Sequence, residues 1–180
     1  MREAQLAVVA GDGIGPEIME VALQVFGKAA KQQNLACTFV NLLAGGAALE
    51  VYGEPLPEAT VKAAQGASAV LLGAVGDPKW DSVEPAKRPE KAILGLRKSL
   101  GLYANLRPVE AAFSDEEASP LKKERLEGTD LIIVRELGGG IYYGERQEGD
   151  EFASDMECYS LQEVNRILQL AAQIASRRRK

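Results

Sequence analysis

Short apolar runs alternate with amphipathic stretches along the first hundred residues. Gln5–Ala10, QLAVVA, is apolar without alternation and ends at glycine, which predicts a buried parallel strand. Gly11-Asp12-Gly13-Ile14-Gly15-Pro16-Glu17 follows. Pro16 suits the first turn of a helix, and Glu17 favours the positive end of its dipole. The spacing predicts a helix to about Gln33, with Ile18, Val21, Ala22, Val25 and Phe26 on one face. Cys37–Leu42 predicts a second strand. Short helices follow over Ala47–Tyr52 and Glu58–Gln65, with Pro55 and Pro57 between them. Ala69–Leu72 predicts a third buried strand that runs into Gly73-Ala74-Val75-Gly76. Strands alternating with helices specify an α/β sheet with parallel members.

The pattern then changes. Asp77–Glu90, DPKWDSVEPAKRPE, is polar and holds three prolines and the only tryptophan, Trp80. It is a loop beyond the carboxyl end of a predicted parallel strand, where open α/β sheets bind ligands. Lys91–Ser99 predicts a helix with Ile93, Leu94 and Leu96 apolar. Leu102–Ala111 is a strand carrying Arg107, and Pro108 marks a sheet edge or a strand end. Phe113–Gly128 predicts loop and a short helix, with Ser114 a candidate N-cap. Asp130–Val134 is a buried strand leading into Arg135. Gly138-Gly139-Gly140 requires a turn or a close backbone approach. Ile141–Arg146 and Glu151–Tyr159 predict a hairpin around a turn at Gln147–Asp150. Its polar faces make it a poor core element and suit an arm that pairs with a partner chain. Ser160-Leu161-Gln162-Glu163 is a capping box, opening a helix with Val164, Ile167, Leu168, Ala171, Ile174 and Ala175 in register.

Composition narrows the function. With 180 residues, 46% apolar and 26% charged, the chain fits one soluble domain or two small ones. A net charge of -5 gives no general attraction to nucleic acid or to anionic membrane. The basic run at Arg177–Lys180 lies at a predicted helix end, where cations favour the dipole. Cys37 and Cys158 have no metal-ligand spacing and fit a reducing compartment. No apolar run approaches membrane-spanning length and no targeting pattern opens the chain, so a cytoplasmic location is expected. There is no histidine, which excludes a Ser-His-Asp triad and a His-ligated zinc site. A metal would need oxygen or thiolate ligands, and carboxylate chemistry points to Mg²⁺ or Mn²⁺.

The candidate chemistry lies between Arg97 and Tyr142. Arg97, Arg107 and Arg135 are permanently charged forks suited to carboxylates or phosphates, although most arginines on a soluble protein are surface residues. Tyr142, just after the triple glycine, is a candidate proton donor. Ile93 and Arg97 share a helix face, which suits an acid bearing an alkyl group as well as it suits ordinary core packing. The glycine turn at residues 11–15 is not the dinucleotide fingerprint, and steric reasons explain it equally well.

Five ordered stretches carry a resemblance. They are GDGIGPEI at Gly11–Ile18, GEPLPEAT at Gly53–Thr60, LLGAVGDPKWD at Leu71–Asp81, RPEKAILGLRKSLGLYANLRPV at Arg88–Val109, and Val134–Glu145 around the triple glycine. The chain resembles the β-hydroxyacid oxidative decarboxylases of the isocitrate/isopropylmalate dehydrogenase family, and most closely the isopropylmalate branch. The resemblance implies an α/β fold with an isopropylmalate-dehydrogenase-like sheet and flanking helices, a two-domain fold present in part. The expected division is residues 1–102, from the cofactor-side domain, and 103–180, a partial second domain with the arm-like hairpin at about 141–159. The implied activity is NAD-dependent oxidative decarboxylation of 3-isopropylmalate to 2-oxo-4-methylpentanoate in leucine biosynthesis, by a homodimer using Mg²⁺ or Mn²⁺. Arg97, Arg107 and Arg135 match the substrate-carboxylate arginines, Tyr142 the catalytic tyrosine, and Ile93 and Leu94 the alkyl pocket. Asp77, Pro78, Lys79, Trp80 and Glu90 match the nicotinamide-side cofactor loop. Two positions depart from the family: Asp77 stands where a second glycine is common, and Gly138 where threonine is usual. The family's catalytic lysine, metal-binding aspartates and adenosine-binding segment match nothing in the chain. An N-terminal half, inactive alone and without metal ligands, is therefore expected. The alternatives are a non-catalytic binding or assembly module, and a tartrate- or malate-type relative.

Overall fold

The computed structural model describes residues 2–110 and 119–178. The chain divides into two compact units, Met1–Leu100 and Gly101–Lys180. The expected N-cap at Ser114 and the end of the basic run at residues 179–180 lie outside the described residues.

The first unit is built on three parallel strands, β1 (Arg2–Gly11), β2 (Leu35–Asn41) and β3 (Ala69–Ala74), in the order β2-β1-β3. The central strand is apolar on both faces because both are covered: Leu6, Ala7, Val8 and Val9 are all buried. Helix α1 (Gly15–Gln32) packs on the sheet. Helices α2 (Gly46–Tyr52), α3 (Glu58–Gly66) and α4 (Glu90–Ser99) complete the unit. Val9, Ala44 and Ala92 form a small buried cluster with Leu42, Leu56 and Val70 around it. The parallel α/β sheet agrees with the expected fold class.

One helix face differs from expectation. The buried side of α1 is Gly15, Met19 and Ala30, whereas Ile18, Val21 and Val25 are exposed, Val25 by 63%. Helix α1 is apolar on two sides, and the methionine side wins the sheet. Spacing alone does not choose between two apolar stripes on one helix.

The second unit pairs β4 (Ala104–Glu110) with β5 (Asp130–Glu136) in an antiparallel ladder. Pro108 sits opposite Ile132 without ending the strand, because both strands of the ladder are edges. A one-turn helix, α5 (Lys123–Leu126), precedes β5, and α6 (Leu161–Ser176) packs against it. Along β5 the burial alternates, with Ile132, Val134 and Glu136 half-buried and Leu131, Ile133 and Arg135 exposed. Among the described residues every fully buried apolar side chain belongs to the first unit. The expected strand at Ile141–Arg146 is corrected: residues 141–144 turn, with Tyr143 and Gly144 N–H donating to Gly140 O. The hairpin strands are β6 (Arg146–Glu148) and β7 (Ala153–Asp155), three residues each, closed by Gly149 N–H donating to Phe152 O. The glycine at 144 explains the failure, since a Cβ there would collide with the Met156 carbonyl.

A buried carboxylate ties the first unit together. Asp12, 7% exposed, follows β1. Its Oδ2 accepts Gly46 N–H at 2.6 Å, and its Oδ1 accepts both Gly76 and Asp77 N–H at 2.8 Å. These donors belong to the segments that follow β2 and β3, so one side chain joins the carboxyl ends of all three strands. Asp12→Ala leaves these donors without their acceptor, and a loss of roughly 3 kcal/mol in urea unfolding is expected. A loss within experimental error would show that water replaces the carboxylate without cost.

The capping box of α6 is present. Ser160 Oγ accepts Glu163 N–H at 3.2 Å, and Glu163 accepts Ser160 N–H at 2.7 Å. The Ser160 backbone N–H, then its hydroxyl, holds the Glu163 carboxyl below its ordinary value. A depressed folded value means that this contribution is complete above the unfolded carboxylate value, about 4.3, and is lost as pH falls through the lower folded value. Ser160→Ala should cost about 1 kcal/mol in chemical unfolding followed by helix circular dichroism. Glu163→Gln should flatten the acid-side decline of the melting temperature; an unchanged slope would remove the carboxylate from the cap.

Candidate functional site

The expected cofactor-loop residues lie on the carboxyl-end side of the parallel sheet. Asp77 opens a 3₁₀ turn, Pro78–Trp80, and its side chain accepts Lys79 N–H at 2.9 Å. The carboxylate at this departure from the family pattern therefore acts as a local cap. Lys79 Nζ lies 2.6 Å from Glu50 Oε1 and 4.9 Å from the centre of the Trp80 ring. The hydrogen bond to Glu50 holds the Lys79 ammonium above its ordinary pKa. The loop is not structureless, since a second 3₁₀ turn covers Pro85–Lys87 before α4 begins.

Two glycines make room for this loop. A Cβ on Gly46 would collide with Trp80 Nε1. A Cβ on Gly76, where φ is +118°, would lie 3.0 Å from Glu90 Oε1. The indole and the Glu90 carboxylate thus each rest on bare backbone. The glycines of residues 11–15 serve packing as well: a Cβ on Gly11 or Gly15 would strike the Ala74 carbonyl. The steric reading of that turn is the one the geometry supports.

Helix α4 separates its faces clearly. Ala92 and Leu96 are buried, and Gly95 lies against Leu56. Glu90, Ile93, Leu94 and Arg97 fall at i, i+3, i+4 and i+7, on a neighbouring stripe. Ile93, Leu94 and Arg97 are half-buried and Glu90 is exposed. The first unit therefore lines up a carboxylate, two aliphatic side chains and a guanidinium along one helix.

The remaining candidates are in the second unit. Asn105 pairs with Arg135 and Arg107 with Ile133 across the β4–β5 ladder. Directly opposed residues share a face, so Arg107 and Arg135 lie diagonally on the side that α6 does not cover. Arg107 Nε donates to Asn105 Oδ1 at 2.8 Å. The Arg135 guanidinium lies 5.6 Å from the Tyr142 ring centre, with Nη2 3.4 Å from Oη. Tyr142 is 64% exposed. Because Arg135 donates to the phenol oxygen, the phenol's own proton is left to donate elsewhere.

Sequence reasoning missed two carboxylates that shape these sites. Asp12 is the first. Glu136 is the second: its Oε2 accepts Gly138 and Gly139 N–H at 2.7 and 2.8 Å, and its Oε1 takes Arg166 Nη2. Arg166 in turn stacks over Tyr103 at 5.0 Å. A Cβ at Gly138 would collide with Arg166 Nη2, so this glycine gives the guanidinium its place. The available signal was an acid at the end of an apolar strand, two residues before a triple glycine, a position where successive N–H groups need an acceptor.

The donor set bears on the implied cofactor and metal. The Gly76 and Asp77 N–H groups already serve Asp12, and the nearby Lys79 ammonium is paired with Glu50. Such a surface fits the hydroxyls of a nicotinamide ribose, with Glu90 as acceptor, and does not fit a pyrophosphate. Among the described residues no group of three or more Cys, Asp or Glu side chains is placed to hold a metal ion.

Comparison with known proteins gives these geometries a family. The profile described as isocitrate/isopropylmalate dehydrogenase matches residues 5–180. The chain is 50% identical to a 3-isopropylmalate dehydrogenase of Clostridium pasteurianum, over 100% of this chain and 52% of that protein. It is 48% identical to that of Heyndrickxia coagulans, over 98% of this chain and 49% of that protein. Among solved structures, an isocitrate dehydrogenase from Methylococcus capsulatus superposes with TM-score 0.71 at 27% identity, covering 98% of this chain and 48% of that one. A beta-decarboxylating dehydrogenase from Thermococcus kodakarensis gives 0.66 at 31%, covering 94% and 45%. The chain spans about half the length of the curated relatives it matches. A match that runs through both units, with relatives half-identical along the full chain, places it plainly: this chain belongs to the isocitrate/isopropylmalate dehydrogenase family.

Proposed function

We propose that this chain supplies the acid-gripping and proton-donating part of an NAD-dependent oxidative decarboxylation of 3-isopropylmalate to 2-oxo-4-methylpentanoate, a step of leucine biosynthesis, in a cytoplasmic homodimer. The observation that supports it most is the placement of Arg107 and Arg135 diagonally on one open sheet face, with Tyr142 stacked on Arg135. Two guanidiniums diagonal on a ladder suit a diacid, which presents separate carboxylates to separate forks. On α4, Arg97 would hold carboxylate, while Ile93 and Leu94 would meet the isopropyl branch. Glu90 would accept from the nicotinamide ribose, beside Asp77, Pro78, Lys79 and Trp80.

When bound, NAD⁺ would supply the hydride acceptor and Mg²⁺ or Mn²⁺ a Lewis acid for the C2 oxygen. The chain's own chemical task comes after CO₂ has left. Tyr142 Oη donates its proton to the carbon of the enolate left by that loss, giving the ketone, and the Arg135 cation beside it stabilises the phenolate formed. On this reading the catalytic lysine and metal-binding aspartates are not among these residues, and the 180 residues alone are expected to form no NADH with 3-isopropylmalate.

Binding can be tested on the chain as it stands. Titrating 3-isopropylmalate should shift the NMR signals of Arg107, Arg135 and Tyr142 together. Arg135→Ala should weaken binding by about tenfold or more, the range of a charged hydrogen bond. Tyr142→Phe should leave affinity within about twofold, because a proton donor acting only in the transition state contributes little to ground-state binding. Equal binding by the Arg135→Ala variant, or NADH formation by the purified chain, would contradict the reading.

A further inference from the structure

Two side chains of the proposed cofactor loop, Trp80 and Glu90, rest on glycines. The indole lies on Gly46 and the Glu90 carboxylate lies on Gly76. Gly46 N–H is held by Oδ2 of Asp12, and Gly76 N–H by Oδ1. We infer that Asp12 is a positioning residue for the nicotinamide-ribose end of the site, one oxygen setting the floor under Trp80 and the other the floor under Glu90. The inference rests on the reading of residues 77–90 as a cofactor loop, but the clamp itself is a claim about this chain alone.

The chemistry requires a carboxylate. Asp12 accepts three N–H bonds on its two oxygens and donates none. An asparagine has one acceptor oxygen and an amide that donates, so it cannot serve both sides. If its oxygen keeps Gly76 and Asp77, its NH₂ meets the Gly46 N–H donor to donor. If it turns, both bonds at residues 76–77 are lost. Neither hydroxyl nor amide substitutes restore a clamp with acceptors at both ends. The buried indole nitrogen of Trp80, without a partner in the structure, sits against this junction and would sense either failure.

Trp80 is the only tryptophan, so its fluorescence reports the loop without any catalytic readout. In the ligand-free 180-residue chain, Asp12→Asn should red-shift the Trp80 emission and raise its quenching by acrylamide. Titrated with nicotinamide riboside, it should show affinity reduced by about tenfold or more, as expected for a displaced hydrogen-bond acceptor. Glu90→Gln should weaken the riboside similarly while leaving unliganded emission unchanged. Ala30→Gly, a destabilising change in the last turn of α1, should alter neither signal. Gly46→Ala keeps the carboxylate and adds a methyl where the indole lies, so it should expose Trp80 as well. Wild-type Trp80 quenching in both Asp12→Asn and Gly46→Ala would overturn the positioning role. A flat riboside titration of the wild type, with Trp80 still released in Asp12→Asn, would uphold the clamp and remove the ribose reading.

Discussion

A three-stranded parallel sheet has a problem at its carboxyl end. Each strand stops, and the chain must turn away while its backbone N–H groups keep partners. Asp12 solves this for three strands at once, by taking N–H groups from the segments after β2 and β3 while standing in the turn after β1. The bare glycines around it are consequences. Gly11 and Gly15 let the turn press on the Ala74 carbonyl, and Gly46 and Gly76 leave surface for Trp80 and Glu90. Remove the carboxylate and these close approaches lose the bonds that hold them at short range.

The second unit is organised differently. It has no fully buried apolar side chain among the described residues, and its ladder is open on one face. Its order comes from α6 on the other face and from polar links: Glu136 with Arg166, Arg166 over Tyr103, and Arg178 with Asp130. Arg107, Arg135 and Tyr142 therefore stand on an exposed surface, whereas Trp80 and Glu90, in the proposed cofactor loop, stand on a surface fixed from beneath.

Much of this was legible in the residues. The continuous apolar run of β1, the capping box at Ser160 and the loop holding Trp80 each have one local cause, and each appears where that cause puts it. What was not legible depended on competition or on distance. Helix α1 has two apolar sides, and only the sheet decides that Met19 turns inward and Val25 outward. The strand expected at Ile141–Arg146 reads well by composition, yet Gly144 lies against the Met156 carbonyl and residues 141–144 turn. The bonds of Asp12 reach residues 34 and 64 positions away, which no local pattern announces.

Asp12 and Glu136 turn out to be the same device used twice. In each, a single carboxylate oxygen accepts two consecutive backbone N–H groups of a glycine-bearing turn, Gly76–Asp77 in one case and Gly138–Gly139 in the other. Successive N–H groups of this kind form an anion-binding concavity. Here the protein fills both concavities with its own carboxylates. That choice has a chemical consequence for an acidic ligand: at these two turns the backbone N–H groups are already occupied. The guanidinium forks of Arg107 and Arg135, by contrast, are exposed, directional and can be paired. On the proposed reading a diacid would satisfy separate forks, and selectivity would follow from their spacing more than from charge alone.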